Sequence, residues 1–376
     1  MEIEIQLIWP LVLLSTLALA NLFYPYRFWW KALRYRDKQA AFSREQRGVS
    51  VIIAARNEAE NLQRHLPAFL EQDYSDYEVI VVNDCSFDDS TDVLMAMEAR
   101  YKHLKVVTIE EQPKYPTGKK FALTLGVKAA VHNVLLFTDA DCRPASPKWV
   151  QSMQQQYIDK TELVLGYGSY EKKPGLLNAL IRFDTVLTAM QYFGHALSRR
   201  AYMGVGRNLS YLRSLFFFHK GFVTHIKHPS GDDDLFVNEA ANQQNVRVCM
   251  DLDAHTISIP KMSFSALNQQ KSRHMSSSAF YKSNDKFWLA FYGYMSWLLL
   301  LALIGNIIWF KAHLTLLLMS IGVFLIVWLH KMIFLTLFAR KLNDKDLVWW
   351  MPLTAPLHQL LQVFWAIRGL SSKPKW

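Results

Sequence analysis

Apolar and polar positions divide the 376-residue chain into distinct stretches. An almost uncharged run covers about residues 5–24, close to the ~20 residues a helix needs to cross ~30 Å of hydrocarbon. Residues 288–310 and 314–338 form two further runs of this kind, joined by Lys311-Ala312-His313. Between the first run and these two, the hydrophobic period switches back and forth between strand-like and helix-like. Residues 49–54, 77–82, 104–109 and 134–138 are short β-rich apolar runs. Residues 60–69, 91–101, 121–130 and 146–157 carry helical spacing, and Ser146-Pro147 offers the last of them an N-cap and an N1 proline. Alternating strands and helices predict an α/β fold, with parallel strands and helices on both faces of the sheet.

The flanks of the apolar runs set an orientation. Tyr24, Tyr26, Phe28, Trp29 and Trp30 make an aromatic belt, followed or interleaved by Arg27, Lys31, Arg34, Arg36 and Lys38. The positive-inside rule then puts residue 40 onward in the cytoplasm. Glu2 and Glu4 precede the first run, which has no small-x-small cleavage site, so it reads as an anchor rather than a signal peptide. Arg340, Lys341 and Lys345 follow the second span of the hairpin and return the chain to the same side. His330 and Lys331 interrupt that span; snorkelling is the expectation, a functional polar pocket the alternative. Residues 347–370 are long enough to span, but Pro352, Pro356, His358, Gln359 and Gln362 break them, which favours a re-entrant or interfacial helix over a transmembrane one. The expected organisation is an anchor at 1–30, one soluble domain at 48–281, a transmembrane hairpin at 287–340 and a third apolar segment at 347–370.

Composition agrees with a soluble domain on membrane helices: 51% of residues are hydrophobic and the mean hydropathy is +0.03. The net charge of +10, from 42 Lys+Arg against 32 Asp+Glu, is compatible with nucleic acid, but many basic residues flank apolar runs. Anionic membrane lipids are therefore the expected partner and nucleic acid is not. Cys85, Cys142 and Cys249 are odd in number and lack metal-ligand spacing, so no disulfide partner and a reducing compartment are expected.

The chemistry-bearing residues follow strand ends, where ligands sit in such sheets. Asn57, Asp84 and Asp139 each come directly after a predicted strand. Asp139 and Asp141 repel each other unless a cation or a basic partner is near, and hard oxygen ligands suit Mg²⁺ or Mn²⁺ carrying a diphosphate. Gly231-Asp232-Asp233-Asp234 precedes an apolar helical pattern; three carboxylates there are either an over-built N-cap or a crowded set in which one acid is raised toward neutrality and serves as a base. Lys119, Lys120 and Arg273 could hold phosphates if buried near these acids. Of the histidines at 219, 225, 228, 255 and 274, only His274 is assigned to a site.

Taken in order, the run from Val51 to Glu58, Val82-Asn83-Asp84-x-Ser86-x-Asp88, Asp139-x-Asp141, Gly231-Asp232-Asp233 and Gln270-x-x-Arg273 resemble the signature series of family 2 glycosyltransferases, over about residues 48–275. Membrane helices after the Gln-x-x-Arg motif are similar to those of the hyaluronan, chitin and cellulose synthases and the ceramide glucosyltransferases. The resemblance implies a GT-A fold, a Rossmann-like mixed sheet with transmembrane helices at both ends, a nucleotide-diphospho-sugar donor, and inversion at the anomeric carbon. It further implies that Ala55, Asn57, Glu58 and Asp84 hold the nucleoside, that Lys119 lies near the phosphates, and that Asp139 and Asp141 hold Mn²⁺ or Mg²⁺. Asp233 matches the base, with Asp232 beside it; Gln270 and Arg273 contact the diphosphate; Arg207, Asn208 and His274 lie near the acceptor.

The sequence departs from the family at Arg56, where many relatives have a base-stacking tyrosine, and at His274, where the motif ordinarily ends in tryptophan. The second departure argues against polymerisation. The expectation is single transfer from a nucleotide-diphospho-sugar, with UDP the favoured nucleotide, to a lipid-linked or membrane-associated glycan acceptor at the cytoplasmic face of a bacterial-type inner membrane. A processive polysaccharide synthase is the alternative. A nucleotidyltransferase would carry a Gly-rich phosphate loop that Ala54-Ala55-Arg56-Asn57 is not, and a non-catalytic scaffold would have no use for these acids together.

Overall fold

A computed structural model describes residues 2–37, 46–110, 118–228 and 230–371. Lys38 of the basic flank lies outside them. Helix α1 (Glu2–Tyr24) runs through a π-helical turn at Pro25–Trp29 into α2 (Trp30–Arg34). Pro25 has no N–H for the helical ladder, and the chain passes that gap with a wider turn.

The next elements alternate as the period predicts: β1 (Val49–Ala55), α3 (Ala59–Leu70), β2 (Tyr77–Asp84), α4 (Ser90–Arg100), β3 (Leu104–Ile109), α5 (Lys119–Ala129) and β4 (Val134–Asp139). After them come β5 (Cys142–Pro144), α6 (Trp149–Gln154), β6 (Leu163–Leu165), β7 (Gly168–Tyr170), α7 (Leu176–Leu197), β8 (Leu209–Leu212), α8 (Arg213–Phe218), α9 (Asp234–Ala240), β9 (Val246–Val248), β10 (Thr256–Ser258) and α10 (Phe264–Ser278). The chain then continues through α11 (Ser283–Trp309), α12 (Leu314–Lys341) and α13 (Met351–Ser371).

The main sheet has the order β3-β2-β1-β4-β8-β6-β9. Its first four strands are parallel, β8 is antiparallel to both β4 and β6, and β9 is parallel to β6. The fold is thus α/β with a mixed sheet. Val51, Ile52 and Ile53 are all buried because β1 lies at mid-sheet with both faces covered, which is why its sequence is apolar without alternation. A small second sheet, β5-β10-β7, sits beside the carboxyl end of β4. Helix α6 starts at Trp149 and not at Ser146, whose hydroxyl instead accepts the Lys148 N–H at 3.0 Å and closes the preceding turn.

Helix α7 joins the sheet to the apolar helices. It is buried on all sides and packs against α2, α12 and α13. A side chain at Gly194 would put a Cβ 2.6 Å from the Phe28 carbonyl oxygen, so glycine permits the close approach to the π turn. Arg182 of α7 reaches Asp344 and Asp346, each at 2.6 Å, and Tyr167 donates to Asp344 at 3.0 Å.

Three helical stretches, Ile8–Arg34, Ser283–Trp309 and Leu314–Lys341, are long and apolar enough to cross a membrane. They pack against one another. Lys331 does not snorkel. Its ammonium faces the two neighbouring helices and donates to Asn21 Oδ1 at 2.7 Å and Ser296 Oγ at 2.8 Å, because a cation left facing hydrocarbon costs more than one with polar partners. Helix α13 lies along α7 and α10, with Trp365 buried and its indole N–H donating to Asn268 at 2.7 Å.

Candidate active site

The carboxyl ends of β1, β2 and β4 open onto one cavity of about 990 Å³. Ala55, Arg56, Glu58, Asp84, Asp139 and Asp141 line it at the sheet end. Asp84 is buried, and neither of its carboxylate oxygens has a hydrogen-bond partner among the described residues. A buried carboxylate left unpaired at a cavity wall is costly unless a ligand supplies the donor. Asn57 is placed differently from the expectation. It takes a left-handed φ of 55°, which asparagine tolerates; its N–H donates to Ser86 Oγ at 2.9 Å and its Oδ1 accepts the Phe87 N–H at 2.8 Å. It joins the loops after β1 and β2 and does not line the cavity.

Asp139, Asp141 and Cys142 bring their ligand atoms within 4.8 Å of one another. Burial and the Asp139 charge push the Asp141 carboxyl up, whereas Asp139 itself is held down, against its burial, by Lys119, Arg207 and Arg273. A cation between the two acids would relieve this imbalance. Burial also raises the Cys142 thiol well above its ordinary value, so it stays protonated and is a poor ligand for a hard ion. Lys119 does not simply face phosphate space. Its ammonium bridges Asp139 Oδ1 at 2.7 Å and Asp232 Oδ2 at 3.1 Å, and those acids with Asp233 outweigh the burial that would lower it.

The bend between Gly204 and Asn208 carries the chain from α7 to β8 past the acidic cluster. Gly206 donates its N–H to Asp233 Oδ2 at 2.7 Å, and Asp233 Oδ1 accepts the Asp234 N–H at 2.7 Å. Burial first, then the charges of Asp232 and Asp234, raise Asp233 to about 7. Asp233 therefore caps α9 and is also poised near neutrality; the cap and base readings are compatible. Asp234 is a framework acid: its Oδ2 accepts from Ser277 at 2.5 Å and Tyr281 at 2.7 Å, tying α9 to the end of α10.

Helix α10 supplies Gln270, Lys271, Arg273 and His274 to the cavity. Gln270 donates to the Tyr170 hydroxyl at 3.3 Å, and the Arg207 guanidinium lies 4.1 Å from the centre of the Tyr170 ring. Burial, then Lys271 and Arg273, push His274 down to about 3, so its imidazole is neutral. Asn208 is not at the acceptor side. It is fully buried, accepts from the Trp149 indole at 3.1 Å, and donates to the Tyr167 and Ala254 carbonyls at 2.9 and 2.6 Å. Its amide is consumed by the scaffold.

Beyond α10 the cavity wall becomes apolar: Leu289, Ala290, Tyr292, Gly293 and Trp297 of α11 face Val363, Ala366 and Ile367 of α13. Polar wall residues that the motifs did not point to include Tyr170, Asp184, Gln191 and Lys261. As single residues in unremarkable local sequence they carry no signal of their own.

Residues 50–216 match the family described as Glycosyl transferase family 2. The chain carries a family 2 glycosyltransferase domain. Among curated relatives, it is 35% identical over 105 residues to Glycosyltransferase AglE of Haloferax volcanii, covering 27% of this chain and 33% of that one. It is 31% identical over 94 residues to poly-beta-1,6-N-acetyl-D-glucosamine synthase of Staphylococcus epidermidis, covering 25% and 22%. The chain thus aligns with a third or less of these relatives' lengths. The solved structure of mannosyltransferase PcManGT from Pyrobaculum calidifontis, in complex with GDP-Man and Mn²⁺, superposes with a TM-score of 0.59 at 17% identity, over 96% of this chain and 99% of that one. That likeness is one of fold and extends through the apolar helices. Within this chain the matched range holds Asp84, Asp139 and Asp141, whereas Asp232 to Asp234 and α10 lie beyond it.

Proposed function

We propose that this glycosyltransferase moves a sugar from a UDP-sugar, with inversion, onto a lipid-linked acceptor at the cytoplasmic face of a bacterial-type inner membrane. The observation that carries the reading is the continuity of one cavity from the Asp84, Asp139 and Asp141 carboxylates to the apolar faces of α11 and α13. A water-soluble donor and an amphipathic acceptor each meet a wall that suits them. The basic ends of the spans, at Arg27, Lys31, Lys282, Lys286, Arg340 and Lys341, all lie toward the sheet and support the orientation.

In this reading Ala55, Glu58 and Asp84 hold the nucleoside, and Asn57 fixes the loop they stand on. Asp139 and Asp141 fit Mn²⁺ or Mg²⁺ by the chemistry of their donor atoms and their opposed shifts; the ion would neutralise the donor diphosphate. Gln270 and Arg273 contact the diphosphate. The acceptor hydroxyl oxygen forms its bond to the anomeric carbon as the bond to the diphosphate breaks on the opposite side. Asp233 takes the hydroxyl proton, with Asp232 keeping Lys119 in place, and the electron pair leaves with the nucleoside diphosphate. Arg207 and His274 border the acceptor.

The test is transfer by purified full-length protein, with Mn²⁺ or Mg²⁺, from UDP- and GDP-sugars into a membrane lipid extract, followed by mass spectrometry of the organic phase. A lipid-soluble glycosylated product is expected with a UDP-sugar. Sugar appearing only in free hydrolysis product or in water-soluble glycan sinks the proposal.

A further inference from the structure

Away from the cavity, the sheet domain turns a group of large apolar side chains to solvent in one place. Phe217, Phe218, Val223 and Ile226 are 44%, 80%, 65% and 44% exposed. They are held outward by structure. Leu215, Phe216 and Phe222 from the same stretch are buried, Phe216 and Phe222 with ring centres 5.1 Å apart. The turn between them uses Gly221 at φ 61°, where a Cβ would meet the Phe216 ring at 2.6 Å. The buried Lys120 ammonium pins the far side, donating to the carbonyls of His225 and His228 at 2.7 and 2.8 Å. Elsewhere on the domain, Phe87, Met95, Val131 and Leu252 are exposed singly, as is ordinary for a soluble surface, and Met262 and Phe264 are exposed two residues apart.

This group lies beside the start of α11. Thr224 donates to Glu239 of α9 at 2.6 Å, and the Lys282 N–H, just ahead of α11, donates to Asn238 of α9 at 3.0 Å. The rings of His228 and Phe280 are 4.9 Å apart. Phe280 and Phe287 are exposed and continue the apolar surface into the helix. Lys220, Lys227, Lys282 and Lys286 stand exposed among these residues with no acidic residue between Arg213 and His228. Apolar rings interleaved with lysines, contiguous with the end of a spanning helix, are the composition that binds the boundary of headgroups and acyl chains in an anionic bilayer.

We propose that residues 217–226, with Phe280, form a foot that enters the membrane interface beside α11, Phe218 and Val223 reaching the acyl boundary and Lys220 and Lys227 meeting anionic headgroups. Because Lys120 holds this foot and Lys119 next to it bridges Asp139 and Asp232, contact with the bilayer also steadies the N-terminus of α5 at the site.

The three native cysteines are buried, so a single introduced cysteine can be labelled in the full-length protein. F218C and I226C, and M95C on α4 as a control, would each carry the fluorophore NBD in nanodiscs of phosphatidylcholine with phosphatidylglycerol. Blue-shifted emission, mostly lost when the lipids carry a doxyl quencher near the headgroup, is expected at 218 and 226 but not at 95, with weaker quenching in phosphatidylcholine alone. Emission at 218 and 226 matching that at 95 overturns the proposal. Blue-shifted but unquenched emission, with cross-linking between two copies, also overturns it and assigns the surface to a second copy. The readout is independent of sugar transfer, so it stands or falls apart from the proposed activity.

Discussion

Two backbone N–H groups hold the Asp233 carboxylate, yet burial beside Asp232 and Asp234 raises it to about 7. Its ionised fraction therefore grows through neutrality, and transfer should rise with pH and level off above about pH 8 if it is the base. D233N keeps the shape and removes the proton acceptor; donor affinity by calorimetry should survive while transfer falls by ~10²–10⁴. Near wild-type transfer would move the role to Asp232, since Asp234 is occupied by Ser277 and Tyr281. The sign for stability is opposite to that for activity. A carboxyl raised on folding contributes stability that is complete below its unfolded value and is lost as pH rises through about 7, so the melting temperature of D233N should fall less between pH 5 and pH 8. The carboxylates were legible in the sequence because Asp84, Asp139 and Asp141 follow apolar strands and Asp232 to Asp234 stand just before an apolar helical pattern. Crowding was read as the cause of the raised acid, whereas burial is the larger one, and burial is a tertiary fact. Asn57 and Asn208 were misplaced because a carboxamide serves a ligand or a backbone equally well, and nothing local says which.

At the scale of elements, α7, α10 and α13 meet at a buried carboxylate. Asp184 of α7 accepts from Lys271 of α10 and, at 2.8 Å, from His358 of α13. Lys271 is next to Gln270 and two residues from Arg273, so this junction sets how α10 presents its side chains to the cavity. Asp184 is held well below the usual carboxylate range: its burial works the other way, and Lys271 first, then the His358 hydrogen bond, pull it down. That depressed value contributes stability above the ordinary carboxyl range and loses it as pH falls through the lower folded value. D184N leaves Lys271 without its anion and should cost about 3 kcal/mol, the lower end for removing one member of a buried pair. A thermal melt in detergent checks this; an unchanged melting temperature would show the junction to be dispensable. The first strands and helices were legible from periodicity, but α7 was not. It is buried on every side, polar residues such as Arg182 and Asp184 included, so its sequence shows no solvent face, and β6, β7, β9 and β10 are too short for a period of two to register.

For the whole molecule, the arrangement of charge along the long apolar helices makes a prediction about which compartment the site serves. Arg27, Lys31, Arg34, Lys282, Lys286, Arg340 and Lys341 gather where α1, α11 and α12 meet the sheet domain, and Lys311 alone represents Lys and Arg at the opposite turn. Hydropathy made those long apolar helices legible, but not the inward-facing Lys331, because pattern along one helix does not reveal a partner on another. Positive flanks stay on the cytoplasmic side, where nucleotide sugars are made, so the sheet domain should be shielded in intact cells. M95C places a thiol on the exposed face of α4, and Cys85, Cys142 and Cys249 are buried and should remain silent. A membrane-impermeant maleimide is expected to label M95C only after the cells are permeabilised. Labelling in intact cells would reverse the orientation and leave the cavity facing a compartment without its donor.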